Sequence, residues 1–148
     1  MNYWQRLKSL NVMSVQRRRE RYIIIHIWKI LHECCPNDFN LRFSEHSRNG
    51  IKAIVPSIVS SSSCRNQTLY DNSFGVRGPR LWNCIPSYLH VITDQEQFKF
   101  QLTDYLKTLP DNPPTSGYSC VNGNSVLDWS MNKVAAMLQG RSDKLMTQ

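Results

Sequence analysis

The sequence predicts a fold that is mainly α with a small β element, a compact helical domain plus a flexible C-terminal tail. Three observations carry this. Apolar residues recur at helical spacing within residues 3–10, 14–33 and 94–109. One β-branched run, Ile51 to Val59, stands between the second and third of these segments. After Pro110 the composition shifts to proline, glycine and polar residues. The expected division is therefore a helical domain over 1–110, then a linker and short helix over 111–148.

Tyr3, Leu7 and Leu10 fall at i, i+4 and i+7 and form a short apolar stripe on a first helix. Asn11-Val12-Met13 makes a turn, and Ser14 caps a second helix running to about Glu33. On that helix Ile24, Ile27, Trp28 and Leu31 share one buried face, with Arg18, Ile25 and Lys29 well around the cylinder. Its first two turns hold Arg17, Arg18, Arg19 and Arg21, where the helix dipole disfavours positive charge. Burial is not expected there, and a phosphate partner would offset the cost. Cys34-Cys35-Pro36 ends the helix, because the residue before proline leaves the α region.

Residues 37–50 read as loop. Ile51 to Val59 reads as a strand whose edge Pro56 marks, and Ser60 to Ser63 as a turn. Cys64 to Tyr70 returns as a second strand. Ser73 to Asn83 is helical, with Gly78-Pro79 breaking or kinking it, and Ile85-Pro86 closes it. Thr93-Asp94-Gln95-Glu96 predicts a capping box with Thr93 as N-cap. Phe98, Leu102, Tyr105, Leu106 and Leu109 follow on one face until Pro110 stops the helix. Pro113, Pro114, Gly117 and Gly123 mark a linker. Ser125 and Asp128 cap a last helix carrying Leu127, Met131, Val134, Ala135 and Leu138, with few contacts to the rest expected.

Four Trp, six Tyr and five Phe in 148 residues argue against wholesale disorder. Tyr22 to Ile25 is too short an apolar run to span a bilayer, so no membrane partner is expected. The five cysteines (Cys34, Cys35, Cys64, Cys84 and Cys120) are odd in number and include an adjacent pair. No signal-peptide pattern precedes them, which places the chain in a reducing compartment, cytoplasm or nucleus. Net charge is +7, and residues 1–33 alone hold seven basic against two acidic residues, a net +5. A local excess of this kind favours a polyanion, nucleic acid before membrane.

Little else points to chemistry. His26 and His32 diverge by about 120° around a helix, and Cys34-Cys35 cannot make the C-x-x-C loop that wraps zinc. Neither metal nor cofactor is expected. There is no G-x-S-x-G, no H-E-x-x-H and no Gly-rich phosphate loop, and the carboxylates are scattered. No catalytic residue is assigned and an autonomous enzyme is not expected. What remains is basic residues mixed with aromatics: Arg6, Lys8, Arg17, Arg18, Arg19 and Arg21, with a second cluster of Arg77 and Arg80 beside Trp82. Arginine grips phosphate bidentately, and aromatic faces stack on unpaired bases. Trp28 and Trp82 themselves lie on apolar faces and belong to the expected core.

Three pieces, taken in order, resemble one family. The first is Tyr3 to Leu10 followed by Ser14 to Arg21 and Ile27 to His32. It is similar to the R-L, S-L, R-R and Y-K-I-L stretch after the polymerase thumb in jockey-like and related LINE-type, non-LTR retrotransposon reverse transcriptases. The second, Ser73 to Pro86, resembles that family's S-F-x-x-R-x-x-x-x-W-N-x-L-P. The third, Phe98-Lys99 with Leu102 and Leu106, resembles F-K-x-x-L-x-x-x-L. Order and spacing agree over residues 3–109. The chain departs from the pattern at Trp28, where the family has tyrosine, and at the serine run. Residues 111–148 match none of it.

The resemblance implies a piece of an RNA-directed DNA polymerase of transposable elements, one usually fused to an endonuclease. The polymerase aspartates and the endonuclease are not in this sequence, so catalytic activity does not carry over. A fragment, a degenerate copy or a derived host reading frame is expected. The implied partners are the RNA or DNA backbone, gripped as template or primer–template, and the polymerase thumb region of a parent protein. Two alternatives stand beside this: a module that only packs against a thumb domain, and a non-functional translated relic. The arginine run separates binding from packing. It faces solvent in the first case and pairs with acidic residues in the second.

Overall fold

The computed structural model describes residues 1–44, 51–56, 69–70, 72–111 and 125–129. Asn2 opens helix α1 (Tyr3–Leu10) with a capping box: its side chain accepts from the Gln5 N–H, and its own N–H donates to Gln5 Oε1, both at 2.9 Å. Asn11 closes the helix in the left-handed region, φ 53°, which asparagine tolerates well. The apolar stripe on α1 lies elsewhere than expected. Tyr3 and Leu10 are exposed, while Trp4 and Leu7 are the half-buried pair.

Ser14 caps α2 (Val15–Leu31) by accepting the Arg17 N–H. The helix ends at Leu31, two residues before Glu33, because Glu33 turns left-handed at φ 59° and Cys34 N–H folds back to the Lys29 carbonyl. Ile24, Ile27 and Trp28 are buried as predicted, with Leu31 half-buried. Ile25 is buried as well, which corrects its assignment to the outer side. The buried arc of α2 is wider than one stripe because packing neighbours lie on two sides, the helices Phe74–Cys84 and Gln95–Thr108.

Within the stretch expected to be loop, Phe43–Ser44 forms β1. It pairs antiparallel with β2 (Lys52–Ala53), placing Phe43 opposite Ala53 and Ser44 opposite Lys52. The return strand expected over Cys64 to Tyr70 is not seen at its end, since Leu69 and Tyr70 are helical; residues 64–68 lie outside the described residues. Asn83 supports β2 from the side. Its amide accepts the Ala53 N–H at 2.9 Å and donates to the Ala53 carbonyl at 2.8 Å, satisfying both backbone groups.

Helix α3 (Phe74–Cys84) runs through Pro79 and is not broken there. Gly78 explains part of this. A Cβ on Gly78 would come within 2.9 Å of Ile27 Cδ1, so its absence lets α3 press onto α2. Burial of Leu81 and Trp82 on the next turn then outweighs the hydrogen bond that proline removes. A short helix, α4 (Ser87–His90), leads to α5 (Gln95–Thr108). The N-cap of α5 is Asp94, whose carboxylate accepts the Gln97 N–H at 2.9 Å. Thr93 is exposed one residue too early, so the cap expected of it is corrected to Asp94.

Helices α2, α3 and α5 enclose the core around Trp28, Trp82 and Phe98. Trp28 stacks between His32 and Phe98 and donates to the Ile92 carbonyl at 3.0 Å. Trp82 stacks on His90 and donates to the Ile51 carbonyl at 2.9 Å. Each indole thus fills apolar volume while its N–H is satisfied. A 3-10 turn, Val126–Trp129, returns to this core, and Val126 is fully buried against it. The expectation of few contacts after residue 125 fails at this point. Residues 112–124 and 130–148, which hold the expected linker and most of the last helix, lie outside the described residues.

Candidate nucleic-acid interface

The basic segment divides into two sets. Arg17 is fully buried, which corrects its placement in solvent. Its guanidinium donates to the carbonyls of Leu106 at 3.0 Å, Leu109 at 3.5 Å and Pro110 at 2.6 Å, the orphan acceptors at the end of α5. Burial lowers its pKa, while Asp111 and Glu20 oppose the shift. Arg17 is a C-terminal cap for a neighbouring helix and has no donor pattern left for a phosphate to organise.

Glu20, three residues on, is buried beside it. One carboxylate oxygen accepts from Arg77 at 3.1 Å and the other from the Val126 N–H at 2.7 Å. Burial raises the Glu20 pKa; the Val126 N–H, Ser125, Arg77 and Arg17 pull the other way. Arg77, expected on nucleic acid, is therefore half-buried in an ion pair inside the protein. Arg80 is half-buried on the same helix and also engaged. Arg21 donates to Thr103 Oγ1 at 2.9 Å and lies 5.7 Å from the centre of the Tyr22 ring. Arg17, Arg21 and Arg77 are thus internal braces.

Arg6, Lys8, Arg18 and Arg19 differ. All four are exposed, and among the described residues none makes an ion pair. Val15, Arg18, Arg19 and Tyr22 fall at i, i+3, i+4 and i+7, one outward face of α2, with Tyr22 65% exposed. Arg17 and Glu20 on the opposite side lock that helix to α5, to α3 and to the 125–129 turn. Arg18 and Arg19 thus project from a fixed support.

The residues that sequence reasoning missed are Glu20, Asn83, Asp94, Asp111 and Val126. A signal for Glu20 and Arg17 was present. Extending the Ile24, Ile27, Trp28, Leu31 stripe backward by four and seven residues lands on Glu20 and Arg17. Asp111 carried no such signal. It holds the Ser14 N–H and hydroxyl, each at 2.7 Å, across 97 residues of sequence.

His26 and His32 serve packing, against Phe74 and Trp28. Among the described residues no group of His, Cys, Asp and Glu is placed to hold a metal ion, and no helix is long and apolar enough to cross a membrane. No protein-family model, curated protein or solved structure matches this chain.

Proposed function

We propose that this chain is a non-catalytic nucleic-acid-binding segment of the kind that follows the polymerase domain in LINE-type reverse transcriptases. It contacts template RNA or the primer–template backbone through Arg6, Lys8, Arg18 and Arg19. The observation that carries the reading is the division just described: these four cations are exposed and make no ion pair among the described residues, and Arg18 and Arg19 stand on a helix whose opposite face is pinned. Rigid, unpaired cations bind phosphate without first breaking internal ion pairs. Within this reading the motif residues have structural roles. Arg77, Trp82 and Asn83 of the second motif brace α2, the Ile51 segment and β2, and Phe98, Leu102 and Leu106 of the third form the core.

Phosphate contacts make binding salt-dependent and sequence-tolerant. Changing Arg6, Lys8, Arg18 and Arg19 together to alanine should flatten the slope of log affinity against log salt. If three of them reach phosphates, the change is about 2 units on single strands, at about 0.7 each. A salt titration by fluorescence anisotropy on two unrelated RNAs measures this. Identical slopes for wild type and variant would overturn the reading.

A packing module is the second reading, favoured by the exposed Leu10, Val12 and Val15 around the α1–α2 turn. Under it, the salt slope stays near zero for both proteins.

A further inference from the structure

Between α1 and the exit of α5 lies an open groove of about 270 Å³. Trp4, Leu7, Lys8 and Asn11 line one wall, at i, i+3, i+4 and i+7 of α1. Leu106, Lys107 and Leu109 line the other, and Met13 lies between. No residue of α1 is buried, so the inward pair Trp4 and Leu7 leans over a space that the described residues do not fill. Tyr3 fixes the helix from outside: its hydroxyl accepts the Val15 N–H at 3.1 Å, and its ring meets Trp4 edge-on at 5.2 Å.

Charge narrows the choice of occupant. Lys8 and Lys107 are both exposed, one on each wall, and neither makes an ion pair among the described residues. The one acid in the lining, Asp111, has both oxygens committed to Ser14. The groove therefore combines an indole, an apolar lining and two ammonium groups. Its volume is just under the range of about 300–1,000 Å³ usual for small-molecule sites, too small for a helix and ample for one planar ring. We propose that this groove seats one unpaired base of a single-stranded nucleic acid, stacked on Trp4, with the flanking phosphates on Lys8 and Lys107. This rests on the nucleic-acid reading above and deepens it. The phosphate contacts alone accept duplex and single strand, whereas a base held in its stack cannot enter the groove, so Trp4 confers preference for single strands.

The test compares a labelled single strand of about 12 nucleotides, a common footprint for such modules, with the duplex of the same sequence, in RNA and in DNA arms. Wild type, Trp4→Ala and Trp4→Phe are titrated at one salt concentration and the salt slope is then taken. Trp4→Ala should weaken single-strand binding roughly 5- to 100-fold, the range for one base–aromatic stack, and leave duplex affinity and the salt slope unchanged. Trp4→Phe, which keeps a ring and the fold, should fall between. Equal losses on both substrates, or none on either, would overturn the groove assignment while leaving the phosphate reading intact. Absence of wild-type binding to any strand would remove both. A salt-insensitive dimer in sedimentation that Trp4→Phe weakens would instead give the groove to a second copy and overturn the proposal.

Discussion

Glu20 sits where a charge is costly, yet four groups converge on it: Arg77, Arg17, Ser125 and the Val126 N–H. Removing the carboxylate alone strands the others. Glu20→Ala should destabilise by about 3 kcal/mol, the usual scale for breaking a buried pair from one side. Glu20→Gln keeps an oxygen for the Val126 N–H and should cost less, below about 1.5 kcal/mol. The pH dependence has a definite sign. Burial raises the Glu20 pKa above the ordinary carboxylate range, so the folded protein binds this proton more tightly than the unfolded chain. The stabilisation linked to that proton is complete below the unfolded value and is lost as pH rises through the raised one. The stability of wild type relative to Glu20→Gln should therefore increase as pH falls through that window. Urea titrations at several pH values measure it, and a difference that is flat with pH would mean the cations and N–H groups cancel the burial. At this scale the sequence was half legible. The helical period puts Arg17 and Glu20 in line with Ile24; the dipole of α2 alone favours solvent for a cation at its N-terminus, and the carbonyls of a second helix reverse that for Arg17.

Helix existence was readable from apolar spacing in α2 and α5, because a 3.6-residue period reports which face is buried; α1 forms too, but Tyr3 and Leu10 of its expected stripe are exposed. Ends and breaks were less readable, because they depend on single hydrogen bonds. At α5 both Thr93 and Asp94 are acceptable cap residues, and the choice falls to Asp94, whose carboxylate reaches the Gln97 N–H. Asp94→Ala should cost about 1 kcal/mol of stability and Thr93→Ala less than about 0.5. Thermal melts of the two variants decide it; the reverse order would restore Thr93 as the cap. At α3 the Gly78-Pro79 pair read as a break or a kink, and the helix is not broken there. The local rule was sound, but Gly78 is used for the close approach to Ile27, and the apolar burial that follows carries the helix past the missing N–H. The pairing of β1 with β2 was not legible, because two-residue strands leave no alternation to read.

Across the whole molecule, the fold depends on contacts that join distant stretches of chain. Asp111 ties the exit of α5 to the entry of α2, Arg17 caps the same exit, and Glu20 holds the 125–129 turn. A composition shift after Pro110 marks where regular helix ends, but it does not report whether one later valine is buried. Val126 is, completely. Burying a valine contributes about 1.5–2 kcal/mol, and the N–H bond to a buried carboxylate adds about 1–2 more. Removing residues 112–148 deletes both and leaves one face of Glu20 open, while Asp111 and its bonds to Ser14 remain. At roughly 2–4 °C per kcal/mol for a domain near this size, the melting temperature should fall by about 5–15 °C. Val126→Asp in the full chain should reproduce most of that loss, because it places a second carboxylate beside Glu20 in the core. A fall of less than about 2 °C for both proteins would show that the turn adds nothing to the core. Arg6, Lys8, Arg18, Arg19 and the Trp4 groove all precede the cut, so the truncated protein, measured below its melting point, should keep the salt slope of the full chain.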